Sequence, residues 1–412
     1  MRGSLVLPYR SSLATPGRVG RRDRWMAARL QSVVGPAHVR VELWDGSSPA
    51  FTGTEIGRLV VRDRGALAGL LLNPDVWFGD GYVQGRVEVV GDFQEVLDRL
   101  SSMTRPSRLS WRERLALWFA PANDLFSSRD NVHRHYDLGN DFYALWLDSQ
   151  LVYTCACFPT PDATLEAAQI AKLDLVCRKL ALQPGDTVVE TGCGWGALAL
   201  HMARHYGVSV KAFNISTEQV AYARKRAQRE GLDTHVEFIC DDYRNVSGRF
   251  DAFVSVGMLE HVGRRQFPVL ASLLQRVLKP DTGRGLLHFI GRDRPRPINA
   301  WIRERIFPGS YAPTLAEVTT EVLCPADMSV VDVENLRLHY ARTLRRWRER
   351  FDQSEAVVTQ MFDETFARTW RLYLAGSEAA FTSGWLQLFQ IVFAPAGGPM
   401  PHWLRPAHRT TT

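Results

Sequence analysis

Residues 188–196 read VVETGCGWG. A β-branched run ends in a lone acid, Glu190, and three glycines, each one residue apart, follow at once. TVVE has the composition of a buried parallel strand. The next stretch, ALALHMARHYG, has helical spacing and closes on Gly207, a C-cap candidate. The glycines therefore fall at a strand-to-helix turn, where they permit a tight bend and let a ligand approach the backbone closely. Two ligand classes use such a turn. A dinucleotide site wants G-x-G-x-x-G/A and, about 20 residues on, an acid for the ribose. Gly192, Gly194 and Ala197 satisfy the first half, but the next strand, VSVKAFNIS, ends in Asn214 rather than an acid. S-adenosylmethionine, a sulfonium cation with a free amino group and no pyrophosphate, suits the turn better, because Glu190 stands immediately before it.

Three further stretches support that choice. NISTEQVAYARKRA places Ser216 and Gln219 in the loop and first helical turn after the second strand. HVEFICDDYRN ends in Asp241 and Asp242, placed to accept from an adenine amino group. FDAFVSVGMLEHVG runs out of the sheet into a Glu-His pair. Strands and helices alternate between Thr187 and Ile290, which predicts an α/β fold with a mostly parallel sheet. In such sheets ligands bind outside the carboxyl ends of the strands, where these loops converge.

The whole chain sets the frame. Its 412 residues suffice for two or three domains. Apolar residues at 45% and charged residues at 23% are ordinary for a globular protein. No apolar run reaches the length of a membrane-spanning helix, and no clean apolar segment follows the basic N-terminus, so neither a span nor a signal peptide is expected. Cysteines 155, 157, 177, 193, 240 and 324 show neither zinc spacing nor a disulfide framework, which fits a reduced cytoplasmic compartment and no metal. The net charge of +6 is concentrated locally. Arg2, Arg10, Arg18, Arg21, Arg22, Arg24, Arg29 and Arg40 face a single acid, Asp23, and RRWRER forms a second cluster at 345–350. Basic surface attracts acidic partners: nucleic acid, anionic lipid or an acidic carrier.

The expected layout is a basic, flexible N-terminus over 1–37, a small α+β domain over 38–110, the α/β domain over 111–393 and a flexible tail over 394–412. Within it SSMTRPSR (101–108) reads as a linker and WRERLALWF as a short amphipathic helix. Tyr340, Leu344, Trp347 and Phe351 share one helical face flanked by Arg342, Arg345, Arg346 and Arg348. The stripe is expected in the core and some of the arginines at lipid head groups.

Across residues 130 to 393 the sequence resembles the cyclopropane fatty acid synthase family, S-adenosylmethionine-dependent lipid C-methyltransferases. The resemblance rests on HYDLGNDFYALWLD, LVYTCACF, TLEAAQIAKLDLVCRKLALQPGD, GCGWG, VSVGMLEHVG, LLHFIG, WIRERIFPGSYAPTL and LQLFQIVF. It implies a Rossmann-like class I methyltransferase fold and an active site that holds bicarbonate as general base. Carried over, the bicarbonate ligands are Glu260, His288, Ile290, Tyr340 and Cys155. The implied cofactor contacts are Tyr153, Thr154, Gly192, Gly194, Trp195, Asn214, Ser216, Gln219 and Asp242, beside Glu190. The family usually reads D-I-G-C-G-W-G-G, whereas this chain has Glu190, Thr191 and Ala197, and Asn214 replaces a usual threonine.

The chemistry explains the residue types. An isolated alkene is a poor nucleophile, so the methyl donor must be strongly electrophilic. Attack leaves a cation on the chain, which demands a dry site and which aromatic faces stabilise. Tyr153, Phe158, Phe289, Trp301, Phe307 and Tyr311 are candidates, against a plainer reading as core or acyl-tunnel lining. Ring closure then needs a mild, positioned base. A hydride shift in place of closure gives a methylene branch, and later reduction a methyl branch. The same residues serve either outcome. Unsaturated phospholipid acyl chains at the inner membrane surface are the expected substrate, nucleic acid is not an expected partner, and a homodimer stays open. Rivals are a methyltransferase of a carrier-bound chain, an inactive lipid-binding module and, more distantly, a NAD-dependent oxidoreductase.

Overall fold

The computed structural model describes residues 17–103 and 138–397. Among them the strands form two sheets. The larger has the order β6-β5-β4-β7-β8-β10-β9. Its strands are β4 (Thr187–Thr191), β5 (Ser209–Asn214), β6 (Val236–Cys240), β7 (Ala252–Val256), β8 (Arg284–Gly291), β9 (Met328–Asn335) and β10 (Gln387–Pro395). The first five are mutually parallel, and β10 runs antiparallel between β8 and β9. The α/β expectation holds, including the four strands read from their apolar runs. β7 is buried at every position because helices cover both faces of a parallel sheet.

The chain passes from β4 to β5 and β6 on one side, then returns to β7 on the other side of β4. That reversal puts the glycine turn at the topological switch point, where open α/β sheets bind ligands. The helix Ala197–Tyr206 that follows is closed by Gly207, whose φ of +65° and N–H to the Ala203 carbonyl make the expected C-cap.

The smaller sheet holds β1 (Val39–Leu43), β2 (Gly57–Val61) and β3 (Val87–Gly91), with β1–β2 parallel and β2–β3 antiparallel. Its helices are Arg21–Val34, Arg64–Leu72, Pro74–Val83 and Phe93–Met103. The first corrects the expectation of a flexible tail up to residue 37. Ala27, Leu30 and Val34 recur on one helical face and pack on Val39 and Val41. Asp23, the lone acid among the arginines, accepts from the Gly20 N–H at 2.8 Å and takes a bidentate pair from Arg64 at 2.6 and 2.7 Å. The basic run therefore has a reason to fold: its apolar residues are spaced for one face and its acid caps the helix.

Two boundaries also shift. The Phe93–Met103 helix runs into the stretch read as a linker, and β10 extends to Pro395, into the stretch read as a tail. The 111–119 helix and the 110/111 boundary lie outside the described residues. The small domain is tied to the large one through the Pro74–Val83 helix. Trp301 Nε1 and Arg305 both donate to Asp80, at 3.1 and 2.8 Å, and Arg368 donates to the Tyr82 carbonyl.

The Arg337–Gln353 helix buries Tyr340, Leu344, Trp347 and Phe351, as the spacing predicts. Its arginines have protein partners. Arg345 and Arg348 clamp the two oxygens of Glu378 at 2.8 and 3.1 Å, and Glu378 is wholly buried. Arg346 pairs with Glu349, and Arg342 lies 4.2 Å over the Phe158 ring and reaches the carbonyls of Thr160 and Pro161. Arg345 and Arg348, among the arginines expected in part at lipid head groups, hold a buried carboxylate in the structure. The double change Arg345→Met with Arg348→Met leaves a carboxylate buried without compensation and should cost about 3–5 kcal/mol in urea unfolding. Arg346→Gln, at a surface pair, should stay within about 0.5 kcal/mol of the parent. Equal unfolding midpoints for the two variants would contradict the clamp.

Candidate active site

A cleft opens at the carboxyl ends of β4, β5, β6 and β7. Its floor is the glycine turn. Gly192, Gly194 and Gly196 have φ of +81°, +53° and +83°, a region that other residues rarely enter. A Cβ on Gly196 would lie 2.5 Å from the Phe238 ring, so this glycine serves packing against β6. A Cβ on Gly194 would meet no atom within 4 Å, so the space above its backbone is open. The N–H groups of Gly192 and Cys193 donate to the Phe213 carbonyl at 2.9 and 3.2 Å, which pins the turn to β5. Trp195 is buried, with Nε1 donating to Asn140 Oδ1 at 2.6 Å.

Glu190 lies in the cleft wall and is 3% exposed. Its Oε2 is buried without a hydrogen-bond partner, and burial pushes the carboxyl up to about 8. Lys172, from the Leu165–Lys179 helix, lines the same wall and donates to Thr154 Oγ1 at 2.9 Å. Burial pulls its ammonium down to about 8, against the attraction of Asp148, Cys155 and Glu190. Sequence reading missed Lys172. Its only signal was a cation on the apolar side of TLEAAQIAKLDL.

Asn214 closes β5 and is already engaged. Its Nδ2 donates to the Gly194 carbonyl at 3.3 Å and to Gln219 Oε1 at 2.7 Å, and its Oδ1 accepts from the Ser216 N–H. Asn214 and Gln219 line the cleft, and Ser216 does not. The Ser216 hydroxyl instead caps the Thr217–Arg229 helix by accepting from the Gln219 N–H at 3.4 Å. Gln219 Nε2 is buried and unpartnered. Asp242 lines the far end and accepts from the Arg244 N–H at 2.9 Å.

The first half of the strap 151–158, Leu151 to Thr154, lines the cleft. Thr343 Oγ1 accepts from the Ala156 N–H, His339 Nδ1 accepts from the Phe158 N–H, and Gln169 donates to the Thr154 carbonyl. Tyr153 and Tyr373 share a hydrogen bond of 2.8 Å between their hydroxyls. The Tyr153 ring stands 5.5 Å from Tyr143, 5.2 Å from Trp146 and 5.3 Å from Trp347. Tyr143 also meets Trp195 at 5.0 Å. Of these rings Tyr153 and Trp195 line the cleft, and Tyr143, Trp146 and Trp347 are buried against them. Of the expected rings, Phe158 and Trp301 belong to the same buried cluster and Phe307 packs on it. Phe289 packs in the core on the opposite face of β8, and the Tyr311 hydroxyl is taken by Glu317.

Three of the remaining expected residues, Glu260, His288 and Ile290, lie on or against β8. Glu260 sits in the short helix Leu259–Val262 after β7, 6% exposed. Its Oε1 accepts from the Ile290 N–H at 2.8 Å, and its Oε2 is buried without a partner. Burial pushes this carboxyl up to about 7. His288 lies two residues before Ile290, on the same face of β8. Burial, with Lys172 and Lys179 nearby, holds its imidazole well below the usual range, so the ring is neutral. Its Nδ1 meets Gln390 Nε2 at 2.9 Å, and its Nε2 is buried and unpartnered. Cys155 and Tyr340 belong to one apolar cluster on which Ile290 packs. Burial keeps the Cys155 thiol protonated. The structure thus joins Glu260 to the Ile290 N–H, with His288 two residues away on the same strand. Cys155 and Tyr340 lie in the buried cluster on which Ile290 packs, and none of the five lines the cleft of the glycine turn.

The mycolic acid cyclopropane synthetase family matches residues 124–391, and a domain of unknown function matches residues 29–106. The chain is 36% identical over 390 residues to a probable fatty acid methyltransferase of Pseudomonas putida, covering 89% of this chain and 95% of the relative. It is 39% identical over 261 residues to the cyclopropane-fatty-acyl-phospholipid synthase of Escherichia coli K12, covering 63% and 66%. The crystal structure of mycolic acid cyclopropane synthase CmaA1 complexed with SAH and CTAB superposes with a TM-score of 0.61 at 31% identity, over 64% of this chain and 97% of that one. The large sheet, the switch-point cleft and these matches agree: the chain belongs to the mycolic acid cyclopropane synthetase family and is a methyltransferase of the class I S-adenosylmethionine-dependent fold.

Proposed function

We propose that the chain transfers the methyl carbon of S-adenosylmethionine to the double bond of an unsaturated acyl chain in membrane phospholipid, closing a cyclopropane with bicarbonate as general base. The observation that carries this reading is the pair of buried, unpartnered polar atoms, Glu260 Oε2 and His288 Nε2, beside β8. Buried polar atoms in proteins nearly always have partners, so two at one site fit a small polar ligand. Glu190 Oε2 and Gln219 Nε2 make the same case for the cofactor.

When bound, the cofactor supplies an electrophilic methyl and bicarbonate supplies a mild proton acceptor. The protein's own groups do the rest. Glu190 faces the cofactor's amino group, the open backbone at Gly194 admits it closely, and Asp242 receives the adenine end. Asn214 holds the turn against Gln219, and Ser216 positions that glutamine. Tyr153 and Thr154 of the strap and Trp195 of the turn would flank the cofactor and exclude water from it. Glu260, braced by the Ile290 N–H, and His288 hold the base, with Cys155 and Tyr340 as its wall. The π-face of Tyr153, which lines the cleft, stabilises positive charge as it develops on the chain.

A branched product is the second reading. It stays open because the Pseudomonas putida relative, matched over 95% of its length against 66% for the Escherichia coli synthase, is named a probable fatty acid methyltransferase with no ring in its name. Chromatography of fatty acids gaining one CH2 separates ring from branch.

For the membrane, the support moves to the Arg21–Val34 helix. Trp25 is 69% exposed there, among the exposed Arg21, Arg22, Arg24 and Arg29. An aromatic and several arginines on one surface suit an anionic interface. The reading is peripheral attachment at the cytoplasmic face, and no helix among the described residues is long and apolar enough to cross a membrane.

Three outcomes test these assignments. Glu190→Ala should weaken S-adenosylhomocysteine binding in calorimetry, and unchanged affinity in the folded variant would remove Glu190 from the cofactor site. Glu260→Gln should leave that binding intact and slow product formation by about 10² to 10⁴. The parent rate should rise with pH through about 7 as the Glu260 carboxyl ionises, and the variant should lack that limb. Equal rates in bicarbonate-depleted and resupplied buffer would count against the base. Each cation near an anionic surface contributes about 1 kcal/mol, so Arg21→Gln, Arg22→Gln and Arg29→Gln together should reduce co-sedimentation with anionic vesicles. A parent that ignores such vesicles at low salt, yet methylates a chain on a soluble acidic carrier, would make this helix a carrier-docking surface.

A further inference from the structure

One row of buried and half-buried side chains runs across three neighbouring strands. His288 on β8 is the register partner of Gln390 on β10, and Gln390 is the register partner of Glu334 on β9. Lys179, the last residue of the Leu165–Lys179 helix, reaches over this row. Its Nζ lies 2.5 Å from Glu334 Oε2 and 2.7 Å from Gln390 Oε1, with Asp332 Oδ2 at 3.8 Å. Lys179, His288 and Gln390 are each at most 2% exposed.

We propose that Lys179 and Gln390 are positioning residues that lock His288 as the Nε2–H tautomer. An ammonium only donates hydrogen bonds, so the Gln390 atom facing it must be the carbonyl oxygen. That fixes an amide orientation that geometry alone leaves ambiguous. The Gln390 NH2 group then faces His288 Nδ1 at 2.9 Å and can only donate. Nδ1 must accept, so the single proton of the neutral ring sits on Nε2. The same lysine that orients the amide also opposes a second proton on the ring through its charge.

The consequence rests on the functional reading above. Nε2–H points a donor into the site, and the Glu260 carboxylate presents an acceptor. A ligand that satisfies both carries an acceptor oxygen and an O–H on one small centre, as a singly protonated oxyanion does. Within this site His288 therefore holds the ligand and does not take up the substrate's proton.

The test is nitrogen NMR on the full chain labelled in histidine, with the residue 288 signals assigned by their loss in His288→Asn. Protonated and bare ring nitrogens resonate far apart. The parent without ligand should show a bare Nδ1 and a protonated Nε2. Gln390→Glu keeps the shape and sets a carboxylate beside Lys179, but a carboxylate only accepts, so the proton should appear on Nδ1. Lys179→Met frees the amide to turn, and both tautomers should be seen. Turnover should fall about 10- to 100-fold in Gln390→Glu, by analogy with the loss of a residue that orients a metal-holding histidine, with S-adenosylhomocysteine affinity unchanged. A parent with the proton on Nδ1, or a folded Gln390→Glu with Nδ1 still bare, overturns the lock. A lock confirmed by NMR together with full activity in His288→Asn would leave the lock standing and sink the functional reading instead.

Discussion

Two ammonium groups buried on one helix hold the site together. Lys172 and Lys179 are seven residues apart, about two turns, so both project from the same face of the Leu165–Lys179 helix toward the sheet. An ammonium taken out of water is costly unless carboxylates and hydrogen bonds surround it. Lys172 is set among Asp148, Glu190 and Thr154, and Lys179 among Glu334, Asp332 and Gln390. The first group adjoins the cofactor cleft and the second backs the histidine. A single helix thus fixes the polar chemistry of both halves of the site, and any shift of it along its axis would disturb both at once.

The cleft itself follows from what strand ends cannot satisfy. Inside the sheet each backbone group finds a neighbour. At the carboxyl ends of β4, β5 and β7 the chain must turn, and the side chains there are buried before they are paired. Asn214 and Ser216 resolve this locally, by bracing the glycine turn and capping a helix. Glu190, Gln219, Glu260 and His288 each keep one polar atom unsatisfied. The contrast separates residues that build the turn from residues left with capacity to hold a ligand.

Charge runs in this protein divide the same way. RRWRER looks like a surface patch by composition, yet two of its arginines compensate a carboxylate on a neighbouring helix that no sequence pattern associates with them. The arginines near residue 25 look similar, and there only Asp23 is drawn inward, leaving the cations and Trp25 on the outside.

Local chemistry was enough to reveal the class of fold, the strand-turn-helix at GCGWG and the order of the parallel strands' loops, because each depends on spacing within a few residues. The resemblance carried by HYDLGNDFYALWLD and GMLEHVG reached further and gathered candidates separated by nearly two hundred positions. It did not separate Ser216, a cap, from Gln219, which lines the cleft, since the two stand three residues apart in one polar stretch. Nor did it reveal the packed face of the 21–34 helix under its arginines. Lys172, Lys179 and Gln390 were invisible for a different reason. A lysine in a helix and a glutamine in a strand are ordinary by themselves, and they acquire meaning only when β10 inserts between β8 and β9 and the helix lies across that row. Sequence alone determined which groups could carry the chemistry. Tertiary structure decided which of them are buried, which are paired and on which nitrogen a proton rests, because those depend on neighbours brought together only by the fold.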